Sequence, residues 1–206
     1  MWSCLQQISV ILSQTLRMNE PELIRQVQNG NSNAFRYLVS RYQKLVVHIT
    51  GRVIQNQEDL EDICQEVFIK VFRNMGRFKG DSKLSTWIAS IAYNTSLDYL
   101  KKYRKKELDF TDRLKQIDGD ISDNPQGLER KDLHRYIREQ IEFLPLHYRS
   151  VVTLYHLEEF NYKEIEEITG MPEGTVKSYL HRARQLLKEK LKFAVTEEIL
   201  TEGAIQ

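Results

Sequence analysis

Cysteine, glycine and proline are all scarce in this chain. Its 206 residues include two cysteines, nine glycines and four prolines. Cys4 and Cys64 lie far apart, and neither has a second cysteine or a histidine at metal-ligand spacing. This pattern argues against a zinc site and a disulfide framework. We therefore expect a protein of the reducing cytoplasm that holds no metal and no cofactor.

The apolar stretch near the N-terminus is too short to cross a membrane. Residues 8–12 (ISVIL) fall far below the roughly 20 residues that a bilayer requires. A secretory signal would carry basic residues before this run, whereas Arg17 is the first charged residue. Asn19 and Pro21 suit a helix start. We expect no membrane insertion, and residues 1–17 to be an extension, either disordered or an artefact of the assigned start site.

The chain also lacks an excess of charge of one sign. Lysine and arginine number 30 against 29 acidic residues, so attraction to nucleic acid must come from local clusters. Enzyme signatures are missing as well. The sequence contains no phosphate-binding loop, no nucleophile elbow, no HExxH motif and no glycine-rich dinucleotide turn, and its five histidines are scattered. We expect a binding protein and not an enzyme.

Apolar residues recur at helical spacing, and no window shows the strict alternation of an exposed strand. Residues 107–132 differ: they are rich in aspartate and contain Gly119, Pro125 and Gly127, a composition typical of a flexible linker. The sequence predicts an all-α fold with two small helical domains, residues 18–106 and 133–198, joined by the acidic linker 107–132. A tail covers residues 199–206.

The second domain contains the pattern of a helix-turn-helix. Residues 162–170 form a short amphipathic helix that ends at Gly170, and Pro172 and Glu173 are expected in the first turn of the next helix. An apolar stripe would pack the two helices together. It comprises Ile165, Ile168, Val176, Leu180, Ala183 and Leu187.

The opposite face of the second helix is basic. A solvated face on an ordinary bundle would also be charged. The acidic first helix, the basic second helix, the stripe and the helix-glycine-turn length together favour DNA, read from the major groove. The predicted contacts are Thr175, Lys177, Ser178, His181, Arg182, Arg184 and Lys188.

Three motifs carry a resemblance to a known family. They are residues 59–72 (DLEDICQEVFIKVF), 78–94 (FKGDSKLSTWIASIAYN) and 174–184 (GTVKSYLHRAR). In this order and at these separations the chain resembles, from about residue 19 to 193, the extracytoplasmic-function (ECF) group of sigma-70 RNA polymerase sigma factors. The resemblance implies a protein that binds core polymerase and directs promoter-specific initiation. The first domain would be region 2-like, and the second region 4-like.

The first motif predicts a helix with an inward stripe of Leu60, Ile63, Val67 and Val71. An ordinary amphipathic core helix would look the same. By resemblance, the helix binds the clamp of the largest polymerase subunit, while the C-terminal domain binds the flap of the second-largest. The polymerase contacts implied are Asp62, Gln65, Glu66 and Ile69. From its own position on the helix, Cys64 is expected to be an unreactive structural thiol.

The second motif predicts a polar loop that enters a helix at residues 85–87, where a hydroxyl would cap it. In similar sigma factors this loop captures a base flipped out of the minus-ten element, at a cost in stacking. The helix ends in the basic run 101–106, suited to phosphates or to capping the helix end. Trp87 is expected in the core. The implied minus-ten contacts are Phe78, Lys79, Ser82, Asn94, Asp98, Lys101, Lys102 and Arg104.

Two residues depart from the family pattern: Glu166 stands where a small residue is common, and Tyr179 where a basic one is common. We expect Glu166 to alter helix packing and Tyr179 to remove a phosphate contact, which leaves minus-35 recognition least defined. An anti-sigma factor between the two domains is a further implied partner. The alternative function is a helix-turn-helix repressor or activator that acts on duplex DNA without polymerase.

Overall fold

The computed structural model describes residues 19–103 and 130–202, with side chains for residues 19–102 and 136–191. The expectations for residues 1–17, for Arg104 and for most of the linker therefore lie outside the described residues. Within the described ranges every regular element is helical, which confirms the all-α fold.

Four helices form the first unit (residues 20–103). They are α1 (Glu20–Gln28), α2 (Ser32–Gly51), α3 (Gln57–Asn74) and α4 (Leu84–Tyr103), with a 3₁₀ turn at Met75–Arg77 after α3. Helices α1, α2 and α3 all begin with an asparagine N-cap. Asn19, Asn31 and Asn56 each accept a hydrogen bond from a backbone N–H of the first turn, which satisfies a group that has no partner within the helix. The predicted cap at Asn19, with Pro21 in the first turn, is confirmed.

The core of the first unit lies where α2, α3 and α4 pack together. Ile63, Val67 and Val71 of the predicted stripe are buried on α3, whereas Leu60 is half-buried at the edge. Ile88 and Ala92 on α4 complete the core. Removal of these side chains from water is the main stabilising term.

The second unit (residues 130–202) contains α5 (Arg130–Glu142), α6 (Leu146–Val152), a π-helical segment at Thr153–Leu157, α7 (Tyr162–Thr169) and α8 (Glu173–Glu202). Gly170 ends α7 with φ of 71°, a left-handed conformation that favours glycine. The helix-turn-helix stripe is confirmed, since its first five side chains are buried. These are Ile165, Ile168, Val176, Leu180 and Ala183, while Leu187 is half-buried.

Four helix boundaries differ from the sequence predictions. Helix α5 begins at Arg130, inside the segment expected to be linker. Helix α4 begins at Leu84, and Trp87 N–H donates to the Lys83 carbonyl at 3.1 Å, so Ser85 and Thr86 lie inside the helix and do not cap it. Pro172 precedes α8, where its carbonyl accepts from the N–H groups of the first turn. Helix α8 continues to residue 202, into the segment expected to be a tail.

The two units also touch each other. Helix α4 of the first unit packs against α7 of the second, and α2 contacts the π-helical segment. Helix α8 in turn packs on α5, α6 and α7. The sequence predicted the two units but not this contact.

Candidate nucleic-acid and polymerase interfaces

Helix α8 presents its predicted DNA contacts on one exposed face. Val176, Leu180 and Ala183 turn inward, and helical periodicity carries the polar residues between them to the solvent side. The exposed side chains are Lys177, Ser178, His181, Arg182, Arg184 and Lys188, while Thr175 is half-buried at the start of the helix.

Two tyrosines lie beneath the cations of this face. The rings of Tyr155 and Tyr162 stack with centroids 5.1 Å apart and planes inclined by 17°. Lys177 Nζ lies 5.2 Å from the centroid of Tyr162, and Arg184 Cζ lies 5.3 Å from that of Tyr155. Because a ring face attracts cations, the pair holds Lys177 and Arg184 two turns apart. The sequence did not predict the tyrosines, whose proximity to α8 depends on how the helices pack.

The same two cations have polar partners within the chain. Lys177 Nζ lies 2.5 Å from Glu173 Oε1, and the hydrogen bond with Glu173 raises the pKa of Lys177. Arg184 Nε donates to Nε2 of His156 at 3.1 Å, so that nitrogen must be unprotonated. Burial and the nearby Arg184 lower the pKa of His156, which keeps the imidazole neutral.

The two residues expected to depart from the family pattern, Glu166 and Tyr179, occupy different environments. Tyr179 is half-buried and packs edge-on against Tyr148, with centroids 5.2 Å apart, and near-parallel to His147 at 6.0 Å. Glu166 is exposed on α7. Tyr179 is therefore a packing residue between α6 and α8, and its ring stabilises the placement of α8.

The predicted minus-ten loop joins the 3₁₀ turn to α4. Phe78, expected to line a pocket, is only 8% exposed and packs against Trp87 with centroids 5.1 Å apart. Gln28 Nε2 anchors the loop by donating to the carbonyl of Phe78 at 3.2 Å. Lys79 is exposed and Ser82 half-buried. The aromatic pair therefore forms a floor beneath a polar loop.

One face of α4 continues from this loop. Asn94 is exposed, and its Nδ2 donates to Ser90 Oγ at 3.3 Å. Asp98 and Lys101 follow at helical spacing, with Lys101 Nζ 3.8 Å from Asp98 Oδ1. Lys102 is also exposed. The helix thus brings the predicted residues Asn94, Asp98, Lys101 and Lys102 to the surface, with the amide separated from the cations by two turns.

Helix α3 exposes all four predicted polymerase contacts. Asp62, Gln65 and Glu66 lie on the solvent side, and Glu66 pairs with Lys70 at 2.9 Å. Ile69 is 49% exposed. Phe72, which was not predicted, is 50% exposed and meets Phe35 of α2 edge-on, with centroids 4.9 Å apart. Phe72 follows Ile69 by three residues, a spacing that places both side chains on the same face of a helix. This spacing was the signal in the sequence that could have predicted Phe72 as part of the surface.

Burial raises the pKa of the Cys64 thiol. A raised pKa leaves little thiolate near neutral pH, in accord with an unreactive structural cysteine.

Over residues 19–103 and 130–202, no cluster of histidine, cysteine and acidic side chains could hold a metal ion. In the same residues no helix is both long and apolar enough to span a bilayer.

Comparisons with known proteins match both units. The Sigma-70 region 2 model matches residues 38–106, and the Sigma-70 region 4 model matches residues 134–187. The ECF RNA polymerase sigma-E factor of Escherichia coli is 34% identical over 185 residues, 85% of this chain and 96% of that protein. The chain belongs to the ECF sigma factors of the sigma-70 family. The ECF factor SigW of Bacillus subtilis is 32% identical over 177 residues, 82% of this chain and 95% of SigW.

Solved structures share the fold of this ECF sigma factor. CnrH, solved in complex with the cytosolic domain of CnrY, matches with a TM-score of 0.59 and 20% identity over 82% of this chain and 95% of that one. The sigma factor RpoE of Bartonella quintana, solved with the anti-sigma factor NepR, matches with a TM-score of 0.56 and 21% identity. The match covers 77% of this chain and 96% of that one.

Proposed function

We propose that this ECF sigma factor binds core RNA polymerase through α3 and places α4 and α8 on the two promoter elements. The observation that carries the proposal is the presence in one chain of a basic recognition helix and a separate, partly apolar surface on α3. A repressor that acts on duplex DNA alone would need only the first. The factor needs no chemistry of its own, so we propose that it is not an enzyme.

The α3 surface has the composition of a protein interface. Ile69 and Phe72 provide exposed apolar area, and Asp62, Gln65 and Glu66 surround it with polar groups. Protein interfaces combine an apolar centre with a polar rim. The clamp of the largest polymerase subunit is the proposed partner of α3, and the flap of the second-largest subunit that of the second unit.

The minus-ten element would meet the loop after the 3₁₀ turn and the exposed face of α4. Extrusion of a base costs a few kcal/mol of stacking, which contacts to the flipped base must offset. The Asn94 amide can donate to and accept from a base edge, while Lys79 and Ser82 line the loop above Phe78. Lys101, Lys102 and Arg104 would contact phosphates and add a salt-dependent term.

The minus-35 element would meet α8 in the major groove. Bidentate contacts from arginine to guanine are the commonest specific contacts, and Arg182 and Arg184 are exposed there. Lys177 and Lys188 would contact phosphates, with Thr175, Ser178 and His181 as polar neighbours. The factor would act in the cytoplasm. An anti-sigma factor is a proposed further partner, supported by the RpoE fold solved with NepR.

Competition for core polymerase tests the proposal. The triple variant Asp62→Ala, Gln65→Ala, Glu66→Ala should bind core at least about tenfold more weakly, since several interface contacts of 1 kcal/mol or more would be lost. Glu61→Ala is the matched control, because Glu61 is exposed on the same helix. Equal affinity of the triple variant and the wild type would refute the role of α3.

A further inference from the structure

The turn that leads into the proposed base-capturing loop is held by a side chain from another helix. Gln28, the last residue of α1, donates from Nε2 to the carbonyl of Met75 at 3.1 Å and to that of Phe78 at 3.2 Å. An amide nitrogen carries two hydrogens, so one side chain can reach both acceptors. The Met75 carbonyl also accepts from the Phe78 N–H at 3.1 Å, which closes the 3₁₀ turn. Gln28 thus links the two ends of this turn to α1.

Helix α1 is itself fixed along its length. Leu23 and Val27 are buried, and α1 packs on α2 and on the 3₁₀ turn. Near the start of the helix, the Tyr42 hydroxyl of α2 donates to Glu20 Oε2 at 3.0 Å. Gln28 therefore contacts the turn from an element that is anchored at both ends.

The loop after this turn runs over the surface between two buried ends. Phe78 and Leu84 are buried, whereas Lys79, Gly80 and Asp81 are exposed. Gly80 has φ of 80°, and an added Cβ would meet no atom within 4 Å. The backbone conformation and not a lack of space therefore favours glycine here. A surface loop of this kind is positioned by the elements that hold its ends.

The Phe78 carbonyl fixes the direction in which the loop leaves the turn. That carbonyl and the nitrogen of Lys79 belong to one planar peptide group, so the hydrogen bond from Gln28 orients the first peptide of the loop. Hydrogen bonds to a flipped base require donor–acceptor distances of about 2.7–3.2 Å, and they must offset the lost stacking. A loop that left the turn in another direction would move Lys79 and Ser82 away from the base.

We propose that Gln28 is a positioning residue for base capture. Its amide holds the loop that receives the flipped minus-ten base, and α1 thereby takes part in promoter opening without touching DNA. The proposal rests on the proposed function for the capture of the base, whereas the anchoring of the loop does not depend on it. The competing explanation is that Gln28 stabilises the fold alone.

Three substitutions at Gln28 separate the effect of a donor from that of an acceptor. Gln28→Glu is nearly isosteric and turns a carboxylate oxygen toward two carbonyl oxygens, Gln28→Ala removes the amide, and Gln28→Lys keeps a donor. In the free full chain, hydrogen–deuterium exchange over residues 76–84 should be at least about threefold faster for Gln28→Glu and Gln28→Ala. Gln28→Lys should stay close to the wild type.

Asn29→Asp is the matched control, because it adds the same charge as Gln28→Glu on an exposed neighbour. It should leave exchange over residues 76–84 unchanged. Protection of the α3 amides, measured in the same samples, reports whether each variant is folded. Wild-type exchange of the loop in both Gln28→Glu and Gln28→Ala would overturn the anchoring.

Binding of single-stranded promoter DNA by the holoenzyme tests the positioning role. The probe is a fluorescent non-template oligonucleotide with the minus-ten element of a promoter that the factor transcribes, either intact or with an abasic site at each position in turn. In the wild type, the abasic site that weakens binding most marks the captured base. Gln28→Ala should bind the intact probe about fivefold more weakly and the probe abasic at that position nearly as the wild type does.

The ratio between the two probes separates positioning from stability. Equal losses on the intact and the abasic probe would show that Gln28 acts only through the fold, and would overturn the positioning role. Faster loop exchange with unchanged binding of both probes would overturn it as well. A wild-type holoenzyme that binds every abasic probe as tightly as the intact one would refute base capture itself. That failure of the proposed function is visible without any variant, and the exchange data would still report the anchoring of the loop.

Discussion

At the residue scale, the cations of α8 depend on the rings beneath them. We predict that Tyr162→Leu weakens binding of the full chain to a duplex with the minus-35 element about two- to fivefold. Lys177 would lose a cation–π contact worth about 0.5–1 kcal/mol at an exposed site. Fluorescence anisotropy measures the change.

Tyr162→Phe is the matched control, since it keeps the ring face and should bind nearly as the wild type does. In a Lys177→Ala background the effect of Tyr162→Leu on DNA binding should vanish, because Tyr162 is expected to affect binding through its contact with Lys177. Equal losses in the two backgrounds would show that Tyr162 acts only through the fold.

His147 links stability to pH. Burial against Tyr179 lowers the pKa of His147 from its ordinary value of 6.5. Below pH 6.5 the unfolded chain therefore binds more protons than the folded one, so this contribution to stability is present above pH 6.5 and is lost as the pH falls. His147→Gln should reduce the loss of unfolding free energy between pH 7 and pH 5.5 in denaturant titrations. The exposed His181→Gln is the control. Identical pH profiles for wild type and His147→Gln would contradict this.

At the element scale, the turn of the helix-turn-helix depends on one glycine. Gly170 has φ of 71°, which costs a residue with a Cβ about 1 kcal/mol or more. We predict that Gly170→Ala lowers the free energy of unfolding by about that amount, whereas Gly170→Asn costs less.

Gly174 provides the comparison for this prediction. It lies in the first turn of α8, has no positive φ, and an added Cβ there would meet no atom within 4 Å. Gly174→Ala should therefore leave stability unchanged or raise it, since alanine favours a helix. Chemical denaturation compares the two variants, and equal losses would refute the left-handed turn as the cause.

Local signals made several elements predictable from the sequence. The cap at Asn19, the stop at Gly170 and the stripe from Ile165 to Ala183 each depend on residues close in the chain. Tyr179 illustrates what was not predictable: its partners His147 and Tyr148 lie on another helix. The burial of Phe78 depends likewise on Trp87 and on where α4 begins. Periodicity does not report such tertiary choices.

At the scale of the whole molecule, charge is balanced and only its distribution carries function. The net charge of +1 would steer the factor weakly toward DNA. The exposed cations of α4 and α8 lie on two separate units. The contact between the units involves residues more than 80 positions apart in the chain, such as Lys83 and Glu164. No local sequence pattern predicts such a contact.

Run-off transcription by purified core RNA polymerase, with and without this factor, tests the central claim most directly. On a library of genomic upstream fragments, we predict transcripts from a small set of promoters only when the factor is present. Asn94→Ala should lower their yield at least tenfold on duplex templates, and a pre-melted minus-ten bubble should restore part of it. If the factor bound core polymerase and yet yielded no specific transcript from any fragment, the account would be wrong.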